Sequence, residues 1–250
     1  FLFIFGQGLS PAMSGLTAGL SAGPMAALAG KIDFVKFIFP GVVGMNVIMT
    51  SIMGGVSIVW DWEFGFLKEM LVAPISRTAV AVGKTLGGST VAVIQGLLVL
   101  LLAPIIGVHL GLGLLARLVP LMLLASLALT SMGVALAARM RSMEAFQTIM
   151  QFVTFPMIFL SGALFPMRDL PVWMNFLVKI NPVTYAIDPL RQVMFQAQGI
   201  PDFVLTKFPQ LGLGVSVFGH AMSIRDDVLV IAAFGAVMIT LAVAMFNVQD

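Results

Sequence analysis

The chain has no cysteine, a single tyrosine and two histidines, and only 10% of its 250 residues are charged. Each shortage removes a class of explanation. Without cysteine there is no disulfide framework and no thiolate chemistry, and redox compartment cannot be read. The histidines, His109 and His220, are far apart, and neither belongs to a His-Glu-x-x-His arrangement of the kind that holds a catalytic zinc. Charges this sparse cannot clothe a soluble surface, for which about 25% is ordinary. The formal net charge of +2 is small and the basic residues form no cluster, which sets nucleic acid aside as a partner. What remains is apolar: 60% of residues are hydrophobic and mean hydropathy is +1.07. An outward face of that composition is tolerated by lipid and not by water.

A helix needs roughly 20 apolar residues to cross the hydrocarbon, where every backbone polar group must be paired internally. Five stretches meet that length, at residues 38–59, 89–106, 118–138, 146–165 and 228–246, and none carries an acidic or basic side chain inside. Residues 1–9 are apolar from the first position and lack an initiator Met or a charged flank. They read as the second half of a sixth crossing whose start is missing, not as a signal peptide. The fold class expected is all-α: a polytopic membrane protein, one transmembrane domain over 1–250, with six helices of which the first is truncated.

Between the crossings, residues 10–37 are rich in Gly, Ala and Ser, whereas 60–88 form a polar loop with Asp61, Glu63, Lys68, Glu69, Arg77 and Lys84. Positive charge is retained on the cytoplasmic side. Segments 60–88 and 139–145 hold Lys68, Arg77, Lys84, Arg139 and Arg141, against Lys31, Lys36 and Arg117 in the other short loops. Both termini are therefore expected in the cytoplasm and the long segment 166–227 outside. Within that segment Trp173, Leu177 and Ile180 recur at helical spacing, and so do Val183, Ile187, Leu190 and Met194. Asn181 suits an N-cap and Pro182 the first helical position. Two short amphipathic helices follow, each too short to span, which should lie in the outer interface or enter the membrane and return. Asp188 and Arg191, three apart, read as a solvated pair on the second of them. Residues 199–227 read as irregular.

If residues 62–72 are helical, Trp62, Phe66 and Met70 stack along one side with Leu67 and Leu71 beside them, while Lys68 and Glu69 face away. Such a helix could rest on lipid headgroups. It could equally be a docking surface for a soluble partner, and Glu63 favours that, because lipid would penalise a charge in the apolar arc where a partner's Arg or Lys would not.

The run Glu63-Phe64-Gly65-Phe66-Leu67-Lys68-Glu69-Met70-Leu71-Val72-Ala73-Pro74-Ile75-Ser76-Arg77 resembles the cytoplasmic loop of ABC type-2 transport permeases, the group that includes daunorubicin-resistance-type exporters. A second run agrees. Phe159-Leu160-Ser161-Gly162-Ala163-Leu164-Phe165-Pro166, followed by Leu170-Pro171, Trp173 and Asn181-Pro182-Val183-Thr184-Tyr185, is similar to the segment closing that family's fifth span. One departure is Phe66 after Gly65, where the family often has Thr. The resemblance implies a subunit that pairs with a second permease copy, as a homodimer, and with cytoplasmic ABC ATPase subunits carrying ATP and Mg, in the plasma (cytoplasmic) membrane of a prokaryote. It implies outward movement of an amphiphilic drug, lipid or glycan-lipid. The loop helix, through Trp62, Glu63, Phe66, Leu67, Lys68 and Met70, would then couple the ATPase to the spans. The sequence contains no Gly-x-x-x-x-Gly-Lys-Ser/Thr phosphate cradle, so this chain is expected not to be an enzyme and nucleotide energy to enter from another polypeptide.

Polar groups within crossings usually face protein or water, so Asn46, Thr50 and Ser51 in the second span and Gln147, Gln151 and Thr154 in the fifth are candidates for a shared cavity. Plain interhelical hydrogen bonding accounts for each of them singly as well. The family resemblance brings the second and fifth spans of two protomers together at the cargo path, where Phe155 and Phe159 would be apolar contacts. The spacings Gly15/Gly19, Gly83/Gly87 and Gly107/Gly111 permit close helix packing. The 18 methionines suit either a promiscuous apolar lining or the filling of core gaps. Among rivals, a hydrolase lacks an acidic residue within a span, and a channel lacks a signature of charged rings. An ion-coupled secondary transporter is the alternative, yet such carriers place an ionisable residue near the midplane, and the spans expected here have none.

Overall fold

The structure of the chain, a computed structural model, describes residues 34–65, 76–163, 171–198, 216–217 and 220–247. Among these residues the fold is helical: α1 Phe34–Met53, α2 Val56–Glu63, α3 Arg77–Leu100, α4 Leu112–Ala137, α5 Met143–Phe159, α6 Val172–Ile180, α7 Pro182–Ala197 and α8 Ile224–Asn247. A 3-10 turn at Ala103–Ile106 follows α3. The one departure from helix is a two-residue antiparallel ladder, Ser216–Val217 against His220–Ala221, just before α8. Four stretches are long and apolar enough to cross a membrane: Ile38–Glu63, Arg77–Ile106, Leu112–Ala137 and Ile224–Phe246. Each falls on an expected crossing. The expected crossing at 146–165 corresponds to α5, a helix of 17 residues. At 1.5 Å per residue that is about 25 Å, short of a hydrocarbon core of about 30 Å. The crossing expected over residues 1–9 lies outside the described residues.

The helices extend further than the hydropathy pattern predicts. α3 starts at Arg77 instead of near 89, so the loop expected over 60–88 is mostly helix at its two ends. Local hydrogen bonding explains the extension. Ser76 Oγ accepts from the Ala79 N–H at 3.2 Å and caps α3. Thr85 donates to the Ala81 carbonyl at 2.9 Å and Ser89 to the Leu86 carbonyl at 2.9 Å. These hydroxyls are satisfied within their own helix, so their polarity does not interrupt it. α4 likewise begins at Leu112, six residues before the expected 118, with Arg117 exposed near that end, where its long stem can carry the charge to water.

Backbone-to-backbone contact organises the bundle. A turn at Gly54–Gly55 separates α1 from α2, and there a Cβ on Gly55 would lie 2.3 Å from the Gly133 carbonyl oxygen of α4. A Cβ on Gly133 would lie 2.2 Å from the Ile52 carbonyl oxygen, and the place of a Gly54 Cβ is 3.3 Å from Gly88 Cα of α3. Small residues at a crossing are what lets helices associate in lipid, where no hydrophobic drive exists between them. Of the spacings noted in the sequence, Gly83, Gly87 and Gly111 face open space, and Gly15 and Gly19 lie outside the described residues. The glycines that bring α1, α2, α3 and α4 together here are 54, 55, 88 and 133, which no fixed sequence spacing links.

The two amphipathic helices after α5 take different roles. α6 exposes Val172, Trp173, Phe176 and Ile180, while α7 is buried over nearly its whole length against α1, α4 and α8. The bundle has two distinguishable ends. At one, Arg77 Nη1 donates to the Phe246 carbonyl at 3.4 Å and Asp61 pairs with Lys84. At the other, Gly41 abuts Ala163 and Arg191 donates to the Gly162 carbonyl.

Gly133→Ala should lower stability by about 1–3 kcal/mol through overpacking against Ile52, seen as a reduced thermal midpoint in detergent. Gly83→Ala, which adds its methyl to open space, should leave the midpoint unchanged or raise it.

Candidate functional site

The first candidate region is the free end of α2. α2 terminates because Gly65 adopts φ +79, a left-handed conformation open to glycine at little cost. The Phe64 N–H donates to the Trp60 carbonyl at 2.9 Å and the Gly65 N–H to that of Trp62 at 3.2 Å, closing the last turn. Trp62 and Glu63 therefore finish α2, and the greater part of the helix expected over 62–72 lies outside the described residues. Phe66, Leu67, Lys68 and Met70 lie outside the described residues. Of the last four residues, two are tied back to the bundle and two project. Asp61 pairs with Lys84 on α3, and the Arg141 guanidinium stands 5.3 Å from the centre of the Trp62 ring, a cation–π geometry. Glu63 is exposed, and Phe64 is 82% exposed. An acid and an aromatic ring thus stand at the helix end, able to meet a partner surface that is basic and apolar. The sequence reading passed over Phe64. Its signal was the glycine that follows it and stops the helix.

The second region is α5. Ser142 Oγ accepts from the Ala145 N–H at 3.3 Å and caps it, and Glu144 in the first turn suits the positive end of the helix dipole. Gln147, Gln151, Phe155 and Phe159, each four residues from the next, form one outward stripe and are all exposed. The Phe155 and Phe159 rings stack with centroids 6.0 Å apart. Thr154 is not part of this stripe. It lies with Phe146, Met150 and Ile158 on the buried side, its hydroxyl without a hydrogen-bond partner. On α1, Asn46 and Thr50 are half-buried. Thr50 Oγ1 reaches both the Asn46 carbonyl at 3.0 Å and Gln95 Oε1 on α3 at 2.9 Å, so it joins α1 to α3. Ser51 is buried and donates to the Val47 carbonyl at 2.6 Å. Gln95 was legible as an isolated amide within an apolar run but went unremarked.

The third region overturns an expectation. Asp188 and Arg191 are not a solvated pair: both are buried. The reason lies in α5, whose last carbonyls would otherwise face hydrocarbon unpaired. Asn181 Nδ2 donates to the Met157 carbonyl at 2.6 Å and Arg191 to the Gly162 carbonyl at 2.5 Å, while Thr184 Oγ1 lies 3.1 Å from the Val178 carbonyl of α6 and 3.4 Å from that of Leu160. Asn181 also accepts from the Val183 N–H at 3.1 Å, the N-cap its position suggested. Gln192 donates to Asp188 at 2.9 Å. Burial lowers the Arg191 guanidinium from its ordinary value, and the neighbouring Asp188 carboxylate opposes that shift. Asp227, in the first turn of α8, is fully buried and adjoins Asp188. Ionisable groups are thus present inside the bundle, supplied not by the charge-free stretches expected to span but by the segment 166–227 expected to lie outside them. The signal was Asp226-Asp227 placed directly before an apolar run, the position of a helix first turn.

Arg191→Met removes the donor to Gly162 and strands the neighbouring buried carboxylate, and should cost about 3–5 kcal/mol, read as loss of folded protein in detergent. Asn181→Ala should cost about 0.5–2 kcal/mol, read as a smaller fall in thermal midpoint.

The sequence model described as ABC-2 type transporter matches residues 2–195. The chain is 27% identical over 162 residues to the putative transport permease ycf38 of Cyanophora paradoxa, covering 64% of this chain and 56% of that protein. It is 27% identical over 165 residues to the probable multidrug ABC transporter permease YbhR of Escherichia coli K12, covering 65% of this chain and 45% of that one. The chain thus spans about half the length of these two relatives. With nodulation protein J of Rhizobium leguminosarum bv. viciae it shares 30% identity over 183 residues, which is 70% of this chain and 69% of that protein.

Proposed function

The chain belongs to the ABC-2 type transporter family, and on that premise we propose that it is the membrane-spanning subunit of an ATP-driven exporter of amphiphilic cargo. The observation that carries the reading is the end of α2, where Glu63 and Phe64 are exposed next to Asp61, paired with Lys84, and Trp62, which lies under Arg141. A cytoplasmic ABC ATPase, binding ATP and Mg, would dock there and on the segment that follows, with Phe66, Leu67, Lys68 and Met70. Arg77, Lys84 and Arg141 at this end support a cytoplasmic setting for it; the reading sets both chain termini on that side and the chain in the plasma membrane of a prokaryote. The α5 stripe of Gln147, Gln151, Phe155 and Phe159 faces away from the chain's own core. A second copy would meet it, and its mixture of amides and stacked rings suits a drug, lipid or glycan-lipid with both polar and apolar parts. Asn46, Thr50 and Thr154 would line or support the same path from within the protomer.

An ion-coupled carrier is the competing reading, and buried Asp188, Arg191 and Asp227 supply the ionisable interior it would need. Arg191 is already engaged on the carbonyl end of α5, which favours a structural role for the group. Purification of the full-length protein with a candidate ABC ATPase subunit tests both readings. Amphiphiles should stimulate ATP hydrolysis by the complex, and Glu63→Ala with Phe66→Ala should weaken ATPase retention about tenfold or more. Transport that follows an ion gradient in ATP-free vesicles would instead establish the carrier.

A further inference from the structure

Two carboxyl groups meet inside the bundle. Asp188 on α7 and Asp227 on α8 are adjacent, and Gln192, which donates to Asp188, also reaches the Met222 carbonyl at 3.5 Å on the approach to α8. Asp227 is 0% exposed, and neither of its oxygens receives a hydrogen bond from a donor. A carboxylate taken out of water in this way is costly unless a partner compensates it. The charged and titratable groups on the helices packed against α8, namely α3, α4 and α7, do not supply one. On α7, Arg191 donates to the Gly162 carbonyl and stands beside Asp188, which balances its charge. Tyr185 donates its hydroxyl to the Lys179 carbonyl at 2.6 Å. α4 has Arg117 alone, which is exposed, and Arg77 and Lys84 of α3 lie at the other end of the bundle, where Arg77 meets Phe246. On α8 itself Arg225 is exposed, and Asp226 accepts from the Ser223 N–H at 3.0 Å and hydroxyl at 2.8 Å.

With all three groups charged, Arg191, Asp188 and Asp227 leave one negative charge in excess in a region closed to water. A single proton removes that excess. Placed between the two carboxyls it also makes the missing hydrogen bond, since a protonated carboxyl donates and a carboxylate accepts. A metal cation suits the place less well. Calcium takes about 6–8 oxygen ligands, whereas among the described residues no three acidic, His or Cys side chains are set to hold an ion, and the Arg191 guanidinium would repel one. We infer that Asp188 and Asp227 form a proton-binding site, in which one proton held between the two carboxyls ties α7 to α8. Release of that proton to water would leave two like charges facing each other across the α7–α8 contact. α7 is the helix whose Asn181 and Arg191 serve the end of α5, so the proton steadies that completion as well. The inference does not rest on the exporter reading.

The test uses the full-length protein in detergent, comparing wild type with Asp227→Asn and Asp188→Asn. Infrared difference spectra between wild type and Asp227→Asn at pH 7 should show the C=O stretch of a protonated carboxylic acid in wild type alone, fading as the pH is raised. No such band would overturn the site, whatever the variants do. Stability gives a second readout. An unfolded Asp releases its proton above about pH 3.9, whereas the folded pair retains one, so folding binds a proton and stability falls as pH rises. From pH 6 to 8 the thermal midpoint of wild type should fall by about 5 °C or more relative to Asp227→Asn, whose amide donates to Asp188 without titrating. Asp188→Asn should flatten the dependence too, because Asp227 then faces no like charge. If Asp188→Asn folds and keeps the full dependence, Asp227 holds its proton alone and the shared site is wrong. A midpoint raised by sodium over potassium at pH 8, in wild type and not in Asp227→Asn, would make the occupant a metal cation and overturn the proton. Should Asp188→Asn fail to fold, the wild-type band and Asp227→Asn still decide.

Discussion

In hydrocarbon a backbone carbonyl without a donor has no water to turn to, and the arrangement of this chain follows from where that demand is met. The four long helices meet it within themselves. α5 does not, because it stops after 17 residues, and the donors come from Asn181 and Arg191. This single requirement draws α7 into the bundle, buries a guanidinium, and brings Asp188 and Asp227 with it as compensating groups. α6 is the by-product: a helix that must bridge from the end of α5 to the start of α7, and that leaves Trp173 and Phe176 exposed on its outer side.

The opposite end obeys a different rule. There the helices approach so closely that backbone meets backbone, at Gly55 against Gly133 and Gly54 against Gly88. Close approach gives extensive dispersion contact without any polar bond. It also makes the crossing stiff, since even a methyl group has no room. Polar contacts at this end are few and lie at the rim, where Asp61, Lys84, Arg77 and Arg141 sit close to water. One end is thus locked by hydrogen bonds and the other by fit, and at the second Glu63 and Phe64 project from the rim.

The crossings were legible because length and hydropathy answer directly to bilayer thickness, and four of them fall where 38–59, 89–106, 118–138 and 228–246 placed them. Their ends were not, because Thr85 and Ser89 look like loop residues until their hydroxyls are seen to bond their own helix. The family was legible in the runs from Glu63 to Arg77 and from Phe159 to Tyr185. Asp188 and Arg191 were misjudged because spacing alone reports which residues are neighbours, not which side of the helix meets a core. The α5 stripe was partly visible: Gln147 and Gln151 stood out as amides in an apolar run, but Thr154, seven residues from Gln147 and within about 20° of it around an ideal helix, is placed on the buried side by how α5 packs, which spacing does not report. Nothing in the spacing of Gly54, Gly88 and Gly133 marked them as partners, since their contact is created by tertiary crossing.

A crossing completed by side chains has a fixed height. α5 with its cap cannot tilt or stretch to suit a thicker sheet of lipid, because lengthening the gap would pull Arg191 and Asn181 off the carbonyls they serve. Whatever lies against α5 must therefore match a helix of about 25 Å, whose height is set by the reach of Asn181 and Arg191 and not by the thickness of a bilayer.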